Sequence, residues 1–157
     1  MKSTSADFPE RLPSRLTRNI ILDALKFDRN GLITIVAQEK SSKKILLVAH
    51  ANREALEATL NTGLMHYYSR SRKKLWKKGE ESGHIQWLVD LTVDCDGDAI
   101  VARVSQVKGC CHRGFRSCFS YQIQPNGTIK VVGKKVFDPA KVYSRHKTSA
   151  RKRSQKK

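Results

Sequence analysis

The stretch Asp94-Cys95-Asp96-Gly97-Asp98 sets three carboxylates at alternate positions around a thiol, and Cys111-His112 and Cys118 follow it. Clustered oxygens suit magnesium or calcium, whereas thiolate and imidazole suit zinc. One short region therefore offers ligands to a hard and a soft metal. A calcium loop of the helix-loop-helix kind does not fit, because its twelfth position falls on Ser105 rather than a glutamate. The remaining alternative for the aspartates is an acidic turn. The cysteines form no C-x2-C pair, so they do not spell out a closed structural zinc site. Three thiolates from Cys95, Cys111 and Cys118 with an open fourth position would suit a catalytic zinc, which lowers the pKa of its water to about 7. The alternative is free cysteines buried in a core, and Cys110 is read as one of these. His112 could be a fourth ligand, a general base or a surface histidine, and spacing alone leaves these open.

A second group runs from Tyr67 to Glu80, with Arg70, Ser71, Arg72, Lys73, Lys74, Lys77 and Lys78 around Trp76. Arginines alternating with serines can hold phosphate oxygens by charge-assisted hydrogen bonds. The aromatic residues could stack on a base or fill a core. Such a segment suits RNA as well as a phosphorylated small molecule, and a solvated basic face is the plain alternative.

The elements that must position these residues are mostly strands. Leu32–Val36 follows the turn dipeptide Asn30-Gly31, and Ile45–Ala49 follows a hairpin loop at Ser41-Ser42-Lys43. Asn52 is placed to cap a helix with Leu56 and Leu60 four apart, and Gly63 to end it. Ile20–Phe27 reads as a short helix or turn, and Met65–Ser69 as a short strand leading into the basic segment. Ile85–Val93, with Trp87, Val89, Leu91 and Val93 on one face, runs into Asp94. Ile100–Val107 returns from the Asp96-Gly97-Asp98 turn, and Cys118–Ile123 pairs with Thr128–Val132 around Pro125-Asn126-Gly127. The expectation is a β-rich α+β fold, a compact single domain with one clear helix.

Composition bounds the remainder. The chain has 157 residues, 39% of them hydrophobic, enough for one domain with a usable core. Its apolar runs are too short to span a membrane, and residues 1–18 lack the apolar stretch of a secretory signal, which places the chain in the cytoplasm. Four cysteines, two of them adjacent, make a poor disulfide framework. The net charge of +17 is uneven: residues 139–157 contain no acid and carry Lys141, Arg145, Lys147, Arg151, Lys152, Arg153, Lys156 and Lys157. Lacking apolar periodicity, this tail is expected to be disordered and to attract nucleic acid non-specifically through counterion release. The domain plan is a flexible basic leader over 1–18, a catalytic domain over 19–138 and the tail over 139–157.

Three longer strings carry a family resemblance. His66-Tyr67-Tyr68-Ser69-Arg70-Ser71-Arg72 through Leu75-Trp76-Lys77-Lys78-Gly79-Glu80-Glu81-Ser82-Gly83 resembles a signature of the phosphoribosyl-AMP cyclohydrolases. So do Asp94–Asp98 and Cys111-His112-Arg113-Gly114-Phe115-Arg116-Ser117-Cys118-Phe119, with support upstream from Lys26–Asp28, Gly31–Ile33 and Asn52–Leu56. The resemblance covers residues 25–122. It implies a step of histidine biosynthesis: hydrolytic opening of the adenine ring of N1-(5-phosphoribosyl)-AMP between N1 and C6. It implies an intertwined homodimer with zinc held by cysteines of both chains. Carried over, Cys95, Cys111 and Cys118 would hold zinc, Asp94, Asp96 and Asp98 magnesium, and His112 would be the general base. Arg70, Ser71, Arg72, Lys77, Lys78, Glu80 and Ser82 would contact the phosphorylated substrate.

The chain departs from the family pattern at Arg113 and Phe115, where threonine and arginine are usual, and at Glu81, where threonine is. Ala49-His50-Ala51 stands where a methionine-containing segment is usual. A different class of function on the same residues is a zinc-stabilised nucleic-acid-binding protein that uses the basic tail and the 70–78 face.

Overall fold

A β-branched run becomes a strand where alternate side chains can be buried, and β1 (Ile33–Glu39) obeys this along its whole length, with Ile33, Ile35, Ala37 and Glu39 all facing inward. The computed structural model describes residues 18–144. β1 is the hub of a six-stranded sheet. It pairs antiparallel with β2 (Ile45–Ala51) and parallel with β6 (Ala99–Gln106). β3 (His66–Ser69) and β4 (Lys74–Lys77) extend the sheet beyond β2, and β5 (Gln86–Val93) extends it beyond β6, in the order β4-β3-β2-β1-β6-β5. The sheet curls on itself. Leu64, just ahead of β3, bridges Trp87, and Met65 N donates to Gln86 O at 2.9 Å. A separate two-stranded ribbon, β7 (Tyr121–Ile123) with β8 (Ile129–Val131), follows the last cysteine.

Two helices accompany the sheet: α1 (Arg18–Ala24) and α2 (Arg53–Thr62). The caps of α2 are those the sequence spells. Asn52 Oδ1 accepts from Ala55 N at 2.9 Å, and Gly63 takes the left-handed conformation with φ 69° while its N–H bonds Thr59 O. Leu22, Ile35, Leu46, Leu56, Met65, Tyr67, Ile100 and Val104 are buried in one cluster between helices and sheet. Each such side chain contributes about 2 kcal/mol by leaving water. No described helix is long and apolar enough to cross a membrane.

The strand-rich α+β domain is therefore the expected one, with two corrections. α1 is the short helix read over Ile20–Phe27, set two residues earlier at its start and ending at Ala24. β4 was not foreseen, because Lys74 and Lys77 mask the apolar pair Leu75-Trp76; it forms by pairing Tyr67 with Trp76 and Tyr68 with Leu75. Trp87, Val89, Leu91 and Val93 do not share a face. The register with β6 shifts between Leu88 and Asp90, so Trp87 and Val89 are exposed while Leu88, Leu91 and Val93 pack on the core. Residues 139–144 are helical, with Asp138 Oδ1 accepting from Ala140 N at 3.0 Å. The rest of the expected tail, from 145, and nearly all of the leader lie outside the described residues.

Candidate active site

The aspartates occupy the tight hairpin between β5 and β6. Gly97 adopts φ 78°, its N–H bonds Asp94 O at 3.2 Å, and its carbonyl accepts from Lys26 N at 2.8 Å. Asp94 Oδ1 receives the N–H groups of Asp98 at 3.0 Å and Ala99 at 3.2 Å. Desolvation would raise the Asp94 carboxyl, but these hydrogen bonds outweigh it and hold the group below its ordinary value. Asp98 is pushed the other way by the hydrogen bond and charge of Asp94, then by desolvation and Asp96. Asp98 is thus the carboxyl whose ionisation its neighbours oppose, a condition that a bound cation would relieve. Cys95 and Asp96 stand exposed in the same loop.

The other three cysteines lie beyond the opposite end of β6. Cys110 N bonds Arg116 O at 3.0 Å and Cys111 N bonds Phe115 O at 3.1 Å, folding residues 110–116 into a closed loop. Cys118 N then bonds Leu46 O at 2.7 Å, fastening the loop's exit to the start of β2. Gly114 at the bend has φ 96°, and a Cβ there would meet Phe137 O at 2.6 Å, so no side chain fits. The Arg116 guanidinium pairs with Glu39 at the end of β1 and also donates to Lys108 O.

This loop brings Cys110, Cys111 and Cys118 into mutual influence. The Cys118 thiol is drawn down to about 6, first by a hydrogen bond from Cys110 and then, against burial, by the charge of Lys78 and by Cys111. Cys110 is driven up, first by Cys118 and then by burial, so it stays a thiol. It is buried and unbridged, as its sequence position suggested. Beneath it runs a buried chain absent from the sequence reading: Tyr67 Oη donates to Gln86 Oε1 at 2.7 Å, and Gln86 Nε2 donates to Cys110 Sγ at 3.6 Å. Only the i to i+19 and i to i+24 contacts of the fold reveal it.

Of the residues expected to meet substrate, Lys78 is nearest the thiols. Its Nζ donates to Cys110 O at 2.6 Å and lies 6.0 Å from the Trp76 ring centroid. Lys77 ends β4, and Glu80 and Ser82 follow on the turn after it, where Glu80 N bonds Lys77 O at 3.1 Å and Ser82 Oγ accepts from His84 N at 3.2 Å. Arg70, Ser71 and Arg72 form the exposed β3–β4 turn, with Arg72 N bonded to Ser69 Oγ at 3.3 Å. Burial first, and then the charge of Arg70, pushes the His50 imidazole down, so this departure from the family pattern favours the neutral form. His112 is exposed next to Cys111. Two residues the sequence did not single out close the floor: buried His84 lies edge-on to Phe137 with ring centroids 4.3 Å apart, and Phe137 covers Gly109.

The ligand sets do not meet within one chain. Asp98 immediately precedes β6 and Cys110 follows it by a short loop, so the eight residues of β6 at about 3.3 Å each set the Cys95 loop roughly 25 Å from the start of the thiol loop at Cys110. Accordingly no three histidine, cysteine or acidic side chains among the described residues gather around one point. The donors fit zinc in kind, with two thiols drawn together beside an ammonium and a third exposed at the far edge, but not in number within one copy.

The strand-rich α+β domain thus holds three thiols at one end of the sheet and three carboxylates with a fourth thiol at the other. Comparison with known proteins places it in a family of hydrolases. The phosphoribosyl-AMP cyclohydrolase family profile matches residues 47–120. The phosphoribosyl-AMP cyclohydrolase of Methanococcoides burtonii is 56% identical over 124 residues, which is 79% of this chain and 99% of that protein. Those of Methanospirillum hungatei, 48% identical over 81% of this chain and 94% of its own, and of Chromobacterium violaceum, 50% identical over 78% and 92%, are also similar. The chain belongs to the phosphoribosyl-AMP cyclohydrolase family.

Proposed function

We propose that this chain opens the adenine ring of N1-(5-phosphoribosyl)-AMP by hydrolysis between N1 and C6, as a cytoplasmic homodimer that shares its sites. The observation that carries the reading is the convergence of Cys111 and Cys118 on one closed loop, with the Cys118 thiol drawn toward the thiolate at neutral pH. These two thiol ligands need a third from elsewhere, and Cys95 of a second copy would supply it. A zinc ion held by the three would lend Lewis acidity to a water molecule.

The chain's own residues do the remainder. Alkylation at N1 leaves C6 electrophilic, so the water oxygen adds there while His112 takes its proton. The C6–N1 bond then breaks, and the proton must return to N1, which His112 can deliver by the reverse transfer. Lys77 at the end of β4 with Lys78 and Ser82 on the turn after it, and Arg70, Ser71 and Arg72 on the β3–β4 turn, hold the two phosphate ends, and Glu80 contacts the remainder of the substrate. Asp94, Asp96 and Asp98 hold magnesium, whose charge offsets their mutual repulsion. The basic residues from 145 onward add a salt-sensitive, non-specific attraction for nucleic acid.

The test is turnover of N1-(5-phosphoribosyl)-AMP, followed by absorbance on ring opening, with zinc and magnesium supplied and then chelated. Metal-dependent turnover is the expected result. A folded, zinc-loaded protein with no turnover would reject the reading and leave nucleic-acid binding as the next activity to measure.

A further inference from the structure

The last described residues fold back over the site. Beyond the ribbon the chain runs along the thiol loop, where Lys135 bridges Phe115 and Val136 N donates to Gly114 O at 2.8 Å. Phe137 then touches both parts of the site. Its ring lies edge-on to His84, at the end of the turn that carries Glu80 and Ser82, with centroids 4.3 Å apart. It also leaves no room for a side chain at Gly109, where a Cβ would stand 2.6 Å from its Cε1. One aromatic ring thus packs the substrate turn against the start of the thiol loop.

A local cap sets where the chain goes next. Asp138 Oδ1 accepts from Ala140 N at 3.0 Å and Val142 N donates to Asp138 O at 3.3 Å, so residues 139–144 wind into a helical turn. That turn carries Tyr143, half-buried, back to the substrate turn. The phenol faces the Ser82 hydroxyl, with Glu81, Cys111 and Cys110 near enough for their charges to act on it. Burial first, against the Ser82 contact, holds the phenol above its ordinary value, so at neutral pH it keeps its proton.

The backbone of the substrate turn is already fixed. Gly83 N donates to Gly79 O at 2.8 Å, and a Cβ at Gly79 would meet His84 C at 2.5 Å. The Ser82 hydroxyl is the part still able to rotate. It carries one hydrogen and two lone pairs, and one lone pair already accepts from His84 N at 3.2 Å. A phenol donating to the second lone pair leaves the serine hydrogen to point outward at an anion.

We propose that Tyr143 is a positioning residue of the substrate site: its phenol fixes the Ser82 hydroxyl so that the serine donates to a phosphate oxygen of the substrate. Phe137, six residues before it, keeps that turn at a set distance from Cys110. This rests on the cyclohydrolase reading above and adds to it a residue beyond the 47–120 segment that the family profile matches.

Steady-state turnover of N1-(5-phosphoribosyl)-AMP by the full chain, with zinc and magnesium, tests this with Tyr143→Phe, which keeps the ring and removes the hydroxyl. KM is expected to rise about 10-fold with kcat within about twofold, because a phosphate contact holds substrate and transition state alike. Zinc content and melting temperature should match the wild type. Ser82→Ala should raise KM by a similar factor, and the double variant no further than either single one, since both act through one hydroxyl. A wild-type KM for Tyr143→Phe, or factors that multiply in the double variant, overturns the proposal. So does a fall in kcat with loss of zinc, which would make Tyr143 a brace of the thiol loop. Calorimetric titration with AMP separates this from the activity itself. A wild type that binds AMP more tightly than Tyr143→Phe but turns nothing over rejects the cyclohydrolase reading and leaves the contact standing. A wild type that neither turns over substrate nor binds AMP overturns both.

Discussion

Arg116 and Glu39, 77 positions apart, form the ion pair that joins the thiol loop to the end of β1. Glu39 is nearly buried, and the Arg116 hydrogen bond holds its carboxyl below the ordinary range despite desolvation. A carboxyl depressed by folding lends stability that is complete above its unfolded pKa and is lost as pH falls through the lower folded value. Glu39→Gln should therefore lower stability at neutral pH by about 1 kcal/mol, since the partly exposed Arg116 guanidinium loses its charged partner. It should also flatten the acid limb of thermal stability against pH. Parallel melting curves of the two proteins across the carboxylate range check both, and identical acid slopes would remove Glu39 from the account.

The proposed sharing of the site is open to a mixing experiment. Cys95→Ser and Cys111→Ser should each be inactive and bind less zinc. After mixed refolding, a pair containing one of each has one site with all its thiols, so with random pairing activity should return to about a quarter of the wild-type level. No recovery, with both variants folded, would mean that each chain completes its own site.

His112→Ala should retain zinc and lose roughly 100-fold in turnover, the scale of a general acid–base group. Zinc content by atomic absorption alongside the rate separates this from ligation: loss of zinc would make His112 a fourth ligand, the alternative its position next to Cys111 leaves open.

Asp96→Asn should weaken the response to added magnesium and leave zinc in place. Asp96 is the apt target because Asp94 also braces the turn through two backbone N–H groups, so its loss would disturb the fold as well. A magnesium titration unchanged by the substitution would take Asp96 out of the hard-metal site.

What could be read from the sequence was what is local. Asn52 and Gly63 bracket α2 because capping depends on a few adjacent residues, and the valine- and isoleucine-rich strands follow from alternation. The bulge at Val89 escaped because it is fixed by pairing with β6, not by β5 itself. β4 escaped because its lysines conceal two apolar residues that gain from Tyr67 and Tyr68 across the ladder. Within the site, the residue types were legible and their assembly was not. Cys95 and Cys111 lie 16 positions apart in sequence yet at opposite ends of a strand, and Gln86, which touches Cys110, carries no signal of its own.

β6 separates the two proposed half-sites, and this would set how activity depends on abundance. With the shared arrangement, a lone chain is not a weak enzyme but an inert one, and the active species forms by a second-order encounter. At low expression, flux would then rise with the square of chain concentration and become proportional only once pairing saturates. A subunit defective at one end of β6 would spoil one site of every pair it joins, whereas defects at opposite ends would compensate each other between two alleles.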